Sequence, residues 1–343
     1  GGDEMTVTTH QKPLNTFLRR VSALDARLAE GLSKLLPDWW DDSLNNSASI
    51  SQQVILGLAK FANLDLTTVI NPTAQLRFNE SVRRYKHAAN KSVEELQAAT
   101  AVVDGMAKIA ASVAKKPYQG LPSARDIRES ILSQGKPWVD FLSLLEFSWS
   151  AGIPVLYMTD IPARKKMDAV AIKVSERPVI ALTKKHKHAS GVLFGLAHEL
   201  GHIACGHLEN NSLLIDEKIN EDDVDNPQEI EANAYAIELL NGRPDAAFHS
   251  KGWITAEVLA SEALRIGRHN KVDPGHVALN YAKTMSRTHS GNFFPVCGKA
   301  LNLLYPRLDW MEQAAGTFLE YVDEEKVSED KFEMLCRMNN IEV

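Results

Sequence analysis

The chain has 343 residues, of which 44% are hydrophobic and 24% charged, proportions ordinary for a folded globular protein. The formal net charge is −6, so no overall basic field attracts the chain to nucleic acid. Cys205, Cys297 and Cys336 are too few and too widely spaced for a disulfide framework, which favours a reducing compartment. Because no apolar run reaches roughly eighteen residues, we expect a cytoplasmic protein without a membrane partner.

Residues 1–116 are predicted to form a helical N-terminal domain. Apolar spacing predicts one helix over 14–36 and two shorter ones over 51–63 and 64–70. The segment LAKFANLDLTTVINPTAQLRF resembles the last part of a repressor-type helix-turn-helix. However, residues 39–42 (WWDD), where a recognition helix is expected, are a poor DNA-facing sequence. A plain helical interaction domain is therefore preferred, and a degenerate helix-turn-helix that contacts DNA is the alternative.

A cluster of basic residues within 83–91 is predicted to be a solvated face, with a phosphate contact as the alternative. Proline and glycine in KKPYQGLP (115–122) indicate a linker, after which a second domain is expected over 123–290. Two helices open this domain, one after Ser123 and one over 137–151. The remaining residues, 291–343, are predicted to form a helical C-terminal extension.

Three short apolar segments of this second domain predict β-strands. IPVLYM (153–158) is apolar and partly β-branched, AVAIKV (169–174) alternates, and PVIAL (178–182) follows after a short turn. Together they predict a small three-stranded sheet that comes just before the most informative motif of the chain. The class is thus expected to be α+β and mostly helical.

That motif is HELGH, which places His198 and His202 four residues apart on a predicted helix over 190–205. Residues at this spacing leave the same face of a helix, and two neutral imidazoles there suit Zn²⁺. Glu199 lies between them and can act as general base towards a water molecule. The apolar surroundings favour a buried site over two surface histidines. We therefore predict one zinc ion per chain.

A zinc hydrolase needs a third protein ligand further along the chain. The spacing HExxHxxGxxH of the metzincins is absent, because Cys205 and Leu208 stand at the required glycine and histidine positions. A helix is predicted to begin at Asn226, and Glu229 at its third position is explained as half of a capping box. Glu231 has no such explanation, so it is the preferred third ligand, with Glu229 as the fallback.

The stretch GLAHELGHIACGH, followed by EIEANAYAIELL, resembles the ImmA/IrrE family of zinc metallo-endopeptidases. The resemblance is strongest over residues 123–245 and implies a gluzincin-like zinc peptidase core, with the sheet packed on the HELGH helix. It implies that His198, His202 and Glu231 bind zinc and that Glu199 is the catalytic base. It further implies cleavage of a helix-turn-helix repressor or antitoxin-type regulator encoded nearby, in phage induction, stress response or defence.

Three further residues are candidates for roles in the site. His276 and Tyr235 could donate to the oxyanion that forms during peptide hydrolysis, although packing or capping also explains them. Cys297, in FPVCG, is a candidate inhibitory zinc thiolate, with a buried structural cysteine as the preferred interpretation. Two other functions remain open: a catalytically silent zinc-containing regulatory module, and a DNA-binding regulator that uses the N-terminal domain.

Overall fold

The computed structural model describes residues 12–79, 85–87, 96–163, 167–208, 213–216, 226–306 and 309–342. The chain divides into two compact units. The first comprises residues 1–84, 92–106 and 161–166, and the second comprises 85–91, 107–160 and 167–343. Residues 291–343, predicted as an extension, therefore share one unit with the predicted peptidase domain. No helix within the described residues is long and apolar enough to cross a membrane.

The first unit is built from helices. Its elements are α1 (Pro13–Leu24), α2 (Ala26–Ser33), α3 (Ala48–Phe61), α4 (Leu66–Ile70) and the first part of α5 (Gln97–Val113).

The single helix predicted over 14–36 is two helices, because Asp25 adopts an extended backbone and its carboxylate accepts a hydrogen bond from the Leu28 amide. After α3, the helix α4 has only five residues. The guanidinium of Arg20 donates to the carbonyls of Thr68 and Val69 near its end. The helix-turn-helix stays a prediction, and the side chains of the basic cluster at 83–91 lie outside the described part of the chain.

The second unit contains the remaining helices. They are α6 (Ala124–Leu132), α7 (Phe141–Ser150), α8 (Ala189–Ala204), α9 (Pro227–Asn241), α10 (Ala256–Asn270), α11 (Pro274–Thr288), α12 (Phe294–Leu304), α13 (Trp310–Tyr321) and α14 (Glu329–Met338). With the first unit, they confirm a mostly helical α+β fold.

A mixed sheet of five short strands lies in the second unit. In sequence order these are β1 (Tyr85–His87), β2 (Val155–Tyr157), β3 (Ala169–Val174), β4 (Arg177–Leu182) and β5 (Leu213–Asp216). Across the sheet the order is β1-β5-β3-β4-β2. The three predicted strands are confirmed as β2, β3 and β4, whereas β1 and β5 were not predicted. Strands β3 and β4 pair antiparallel and both pack against α8.

A buried arginine contacts the C-terminal ends of two helices, α9 and α10. Arg128 on α6 is 7% exposed. Its guanidinium donates to the carbonyls of Leu239 and Leu240 in α9, and to those of Asn270 and Lys271 at the end of α10. A cation suits the negative end of a helix, and here one cation serves two of them. Arg128 therefore fixes the C-terminal end of α9.

Candidate metal centre

The HELGH helix, α8, is buried on nearly every side. Ser190 and every residue from Val192 to His202 are buried, and α8 packs against α7, α9, α11 and the strands β3 and β4. A helix that is apolar all round needs such an enclosed position. Its N-cap is His188, two residues before the predicted cap Ser190, and the helix ends as predicted before Gly206, whose φ is 75°.

Two imidazoles and one carboxylate converge beside this helix. The Nε2 atoms of His198 and His202 are 3.0 Å apart. The Glu229 carboxylate from α9 lies 3.1 Å from His198 Nε2 and 3.2 Å from His202 Nε2. Both histidines are 0% exposed and Glu229 is 3% exposed. Their ligand atoms lie within 4.8 Å of one another, close enough to surround a single ion.

The other ring nitrogens of the two histidines have partners of their own. The Asn233 Oδ1 atom lies 2.8 Å from His198 Nδ1, and because an amide oxygen only accepts, Nδ1 carries the proton. His198 Nε2 therefore faces the cluster as a lone pair. His202 Nδ1 lies 2.8 Å from Nδ1 of His207, whose Nε2 is 2.7 Å from Glu231 Oε2.

This donor set fits zinc. Two neutral imidazoles and one carboxylate are a known ligand set of zinc hydrolases, in which a fourth position stays open for water or substrate. His198 also follows the usual rule that a ligating histidine donates its second ring N–H to a fixed acceptor. Without a cation, the His198 Nε2 lone pair would face a carboxylate oxygen at 3.1 Å in a buried space, which is electrostatically unfavourable.

The third position of the cluster belongs to Glu229 and not to the preferred Glu231. Glu231 is exposed on α9, where its carboxylate contacts His207 instead of the two converging imidazoles. The buried face of α9 explains the difference, since it consists of Glu229, Ala232, Asn233, Ala236, Leu239 and Leu240. Asn226 does cap α9, by accepting from the Gln228 amide. The capping-box explanation of Glu229 led to the preference for Glu231, whereas the carboxylate that lies beside the two imidazoles is that of the fallback candidate, Glu229.

Glu199 is fully buried in α8, next to His198. The neighbouring Gly201 explains why α9 can approach so closely. A Cβ atom at Gly201 would lie 2.7 Å from the Ala232 carbonyl oxygen and 3.0 Å from the Ala232 Cα atom. Glycine at this position of the motif thus lets α9 bring Glu229 up to the two imidazoles.

The two oxyanion candidates have other partners. The Tyr235 hydroxyl donates to the Pro122 carbonyl at 2.8 Å. His276 is fully buried and its ring is stacked with that of Phe194. Its Nε2 accepts from the Asn241 amide at 2.7 Å, and burial lowers the pKa of His276 to about 3. These contacts explain both residues by packing, and an oxyanion role has no support from their geometry.

Cys297 is buried in the apolar core formed by α10, α11 and α12. Burial raises the pKa of its thiol to about 12, so it is not a thiolate at neutral pH. It also lies outside the two groups of potential ligands found among the described residues. These observations favour the structural cysteine over the inhibitory thiolate.

Comparison with known proteins gives one family match. Residues 150–262 match the model of a peptidase family described as the IrrE N-terminal-like domain. The matched segment contains β2, β3, β4, α8 and α9, and thus every residue of the converging cluster. This match confirms the resemblance seen in the sequence. A search of curated proteins and a search of solved structures found no match to the chain.

Proposed function

We propose that the chain is a zinc-dependent endopeptidase, because residues 150–262 match the IrrE N-terminal-like peptidase family. The observation that carries this proposal is the convergence of His198, His202 and Glu229 on one buried point beside α8. The family match supports a peptidase, and the ligand chemistry of these side chains supports zinc. His198 and His202 would hold the ion through Nε2, and Glu229 through its carboxylate.

The mechanism assigns one task to each of these elements. Zinc at such a site supplies a positive charge that activates a water molecule and polarises the scissile carbonyl. Glu199 accepts the proton of the attacking water on its carboxylate and delivers it to the leaving amine. Asn233 holds the proton on His198 Nδ1 and thereby keeps the ring in the orientation that the cluster requires. The enclosed position of α8 excludes bulk water from these groups.

The substrate that we propose is a helix-turn-helix repressor or antitoxin-type regulator encoded near this chain. Support for this substrate comes from the family resemblance alone, since the buried cluster bears on the reaction chemistry and not on the protein that is cut. Such a substrate belongs to phage induction, stress response or defence. A cytoplasmic location agrees with the sparse cysteines and with this class of substrate.

The test is co-incubation of the purified chain with the neighbouring regulator. Zinc-loaded protein should cleave the regulator, and a chelator should stop cleavage. Glu199→Gln should retain zinc while the cleavage rate falls by about 100- to 10,000-fold, the usual effect of losing a general base. Glu238→Gln, which makes the same change on α9 outside the cluster, is the control. Cleavage by Glu199→Gln at the unmodified rate would contradict the mechanism.

One other outcome would replace the proposal, and another would extend it. A stable complex with the regulator, without cleavage under any metal condition, would indicate a catalytically silent regulatory module. A salt-dependent gel shift with DNA that requires residues 12–79 would identify an additional DNA-binding role for the first unit.

A further inference from the structure

We propose that His207 and Glu231 act as positioning residues that fix the tautomer of His202, so that His202 presents its Nε2 lone pair to the metal. This inference rests on the proposed metal centre and concerns how the chain prepares one of its ligands. The inference is supported by a hydrogen-bond chain that runs from Glu231 through His207 to His202. Glu231 Oε2 lies 2.7 Å from His207 Nε2, and His207 Nδ1 lies 2.8 Å from His202 Nδ1.

The positions of the protons are set by which atoms can donate. A carboxylate only accepts, so His207 Nε2 must carry the proton that it donates to Glu231. A neutral imidazole has one N–H, so His207 Nδ1 is left as an acceptor. His202 Nδ1 must then be the donor in the contact between the rings. His202 consequently has no proton on Nε2, the atom that faces Glu229 and His198.

The local fold brings these groups together from two directions. Gly206 adopts a left-handed backbone with φ of 75°, and the His207 amide donates to the His202 carbonyl at 2.9 Å. This turn folds His207 back against the last turn of α8, where it is 5% exposed. Glu231 comes from α9, two residues beyond Glu229. Helix α9 thus supplies the proposed ligand Glu229 from its buried side and Glu231, the end of the hydrogen-bond chain, from its exposed side.

The tautomers of His198 and His202 are therefore fixed in different ways. Asn233 offers His198 an amide oxygen, which accepts in every protonation state of its surroundings. His207 accepts from His202 only while its own proton is held on Nε2, and Glu231 is the group that holds it there. Loss of Glu231 should thus weaken the metal site through His202, although Glu231 touches neither the metal position nor the other ligands.

A competing interpretation is a second metal ion, because Cys205 Sγ, His207 and Glu231 also place ligand atoms within 4.8 Å of one another. A metal on His207 Nε2 would force the proton of that ring onto Nδ1. Two N–H groups would then face each other across the 2.8 Å that separates His207 from His202. An ion on His207 Nε2 therefore disfavours an ion on His202 Nε2, so we assign His207 and Glu231 the role of positioning His202.

The first measurement is zinc affinity by competition with a chromogenic chelator on the full chain. Glu231→Ala should weaken binding about tenfold, and His207→Leu by about 10- to 100-fold, the usual range for such supporting contacts. Glu238→Ala, on the same helix, is the matched control and should bind as the unmodified chain does. Because Glu231 is 61% exposed, its replacement leaves the fold intact. Unchanged affinity in Glu231→Ala would overturn the inference.

A double variant distinguishes positioning from a general effect of charge. The side-chain oxygen of glutamine in His207→Gln can accept from His202 Nδ1 without help from a carboxylate. His207→Gln should therefore restore most of the affinity that His207→Leu loses. Adding Glu231→Ala to His207→Gln should have no further effect. A tenfold loss in that background, equal to the loss in the unmodified chain, would show that Glu231 acts by its charge and would contradict the proposal.

Metal stoichiometry and cobalt spectra test the second-ion interpretation. One equivalent of cobalt, without thiolate-to-cobalt charge-transfer absorption, supports the positioning role, because the first cluster contains no sulfur ligand. Two equivalents together with a charge-transfer band that Cys205→Ser abolishes would overturn it. If the unmodified chain binds no zinc, the proposed function itself fails. If it binds zinc and Glu231→Ala binds equally well, only the present inference fails.

Discussion

Replacement of Gly201 by alanine should damage the metal centre without touching a ligand. The added Cβ would lie 2.7 Å from the Ala232 carbonyl oxygen, 3.0 Å from the Ala232 Cα atom and 3.2 Å from the Tyr235 Cβ atom. Ordinary contacts of this kind are about 3.5 Å, so α9 must retreat from α8 by roughly 0.5 Å or more. The two nearest atoms are backbone, so no side-chain rotation relieves the overlap.

The retreat of α9 would carry Glu229 with it. Metal–ligand distances tolerate only about 0.2 Å, and a displaced carboxylate should reduce zinc affinity by about tenfold or more. Overpacking of this kind costs about 1–3 kcal/mol. The higher helix propensity of alanine offsets about 1 kcal/mol of that cost, which leaves a net destabilisation of roughly 0–2 kcal/mol. Gly201→Ala should therefore change the zinc affinity more clearly than the free energy of unfolding.

The assay pairs urea unfolding of the metal-free protein with the chelator competition for zinc. Gly316→Ala in α13 is the matched control, because a Cβ atom there would meet nothing within 4 Å. It should stabilise the chain by about 0.5–1 kcal/mol and leave zinc affinity unchanged. A Gly201→Ala protein that gains the same stability and binds zinc normally would refute the close approach of α8 and α9.

Three other predictions concern residues around the centre. Arg128→Met should lower the free energy of unfolding by about 2–4 kcal/mol in urea titrations, since four helix-terminal carbonyls lose their donor, whereas Arg125→Met on exposed α6 surface should change little. Burial depresses the pKa of His276 from 6.5 to about 3, so its stabilising contribution is complete above pH 6.5 and is lost as the pH falls towards 3. At pH 5 that loss is about 2 kcal/mol, and unfolding curves of His276→Gln at pH 7 and pH 5 should lack it. Cys297→Ala should leave zinc affinity and stoichiometry unchanged, and tighter binding or faster cleavage would revive the inhibitory thiolate.

The helix of the HELGH motif and its three neighbouring strands could be predicted because their patterns are strong and local. Strands β1 and β5 could not, since they are defined by pairing between distant segments. The helix predicted over 14–36 is split at Asp25, a residue whose capping preference outweighs the continuous apolar spacing. In each case the missing information is either a long-range pairing or a local competition that periodicity alone does not register.

The choice between Glu229 and Glu231 illustrates a different limit. Capping gives Glu229 an adequate local explanation, which conceals its place on the apolar stripe of α9. That stripe contains Ala232, Asn233 and Ala236, at the three- and four-residue spacing that marks a buried face, and Glu231 lies off it. A carboxylate at the spacing of the buried residues indicates a ligand more strongly than the lack of a capping role does. The contacts of His207 with His202 and Glu231 were not predicted, because they depend on how closely α9 approaches the end of α8.

The geometry of the proposed metal centre depends on the distance between α8 and α9. Helix α9 places Glu229 beside both imidazoles and Asn233 beside His198. It also carries Glu231, the end of the hydrogen-bond chain to His202, so residues of α9 orient both histidines of α8. Gly201 permits the approach and Arg128 anchors the far end of α9. A substitution that shifts α9 should thus alter ligand position and ligand tautomer together. Defects in zinc affinity from Gly201→Ala and Glu231→Ala should consequently be less than additive when the two are combined, because both act on the same helix contact.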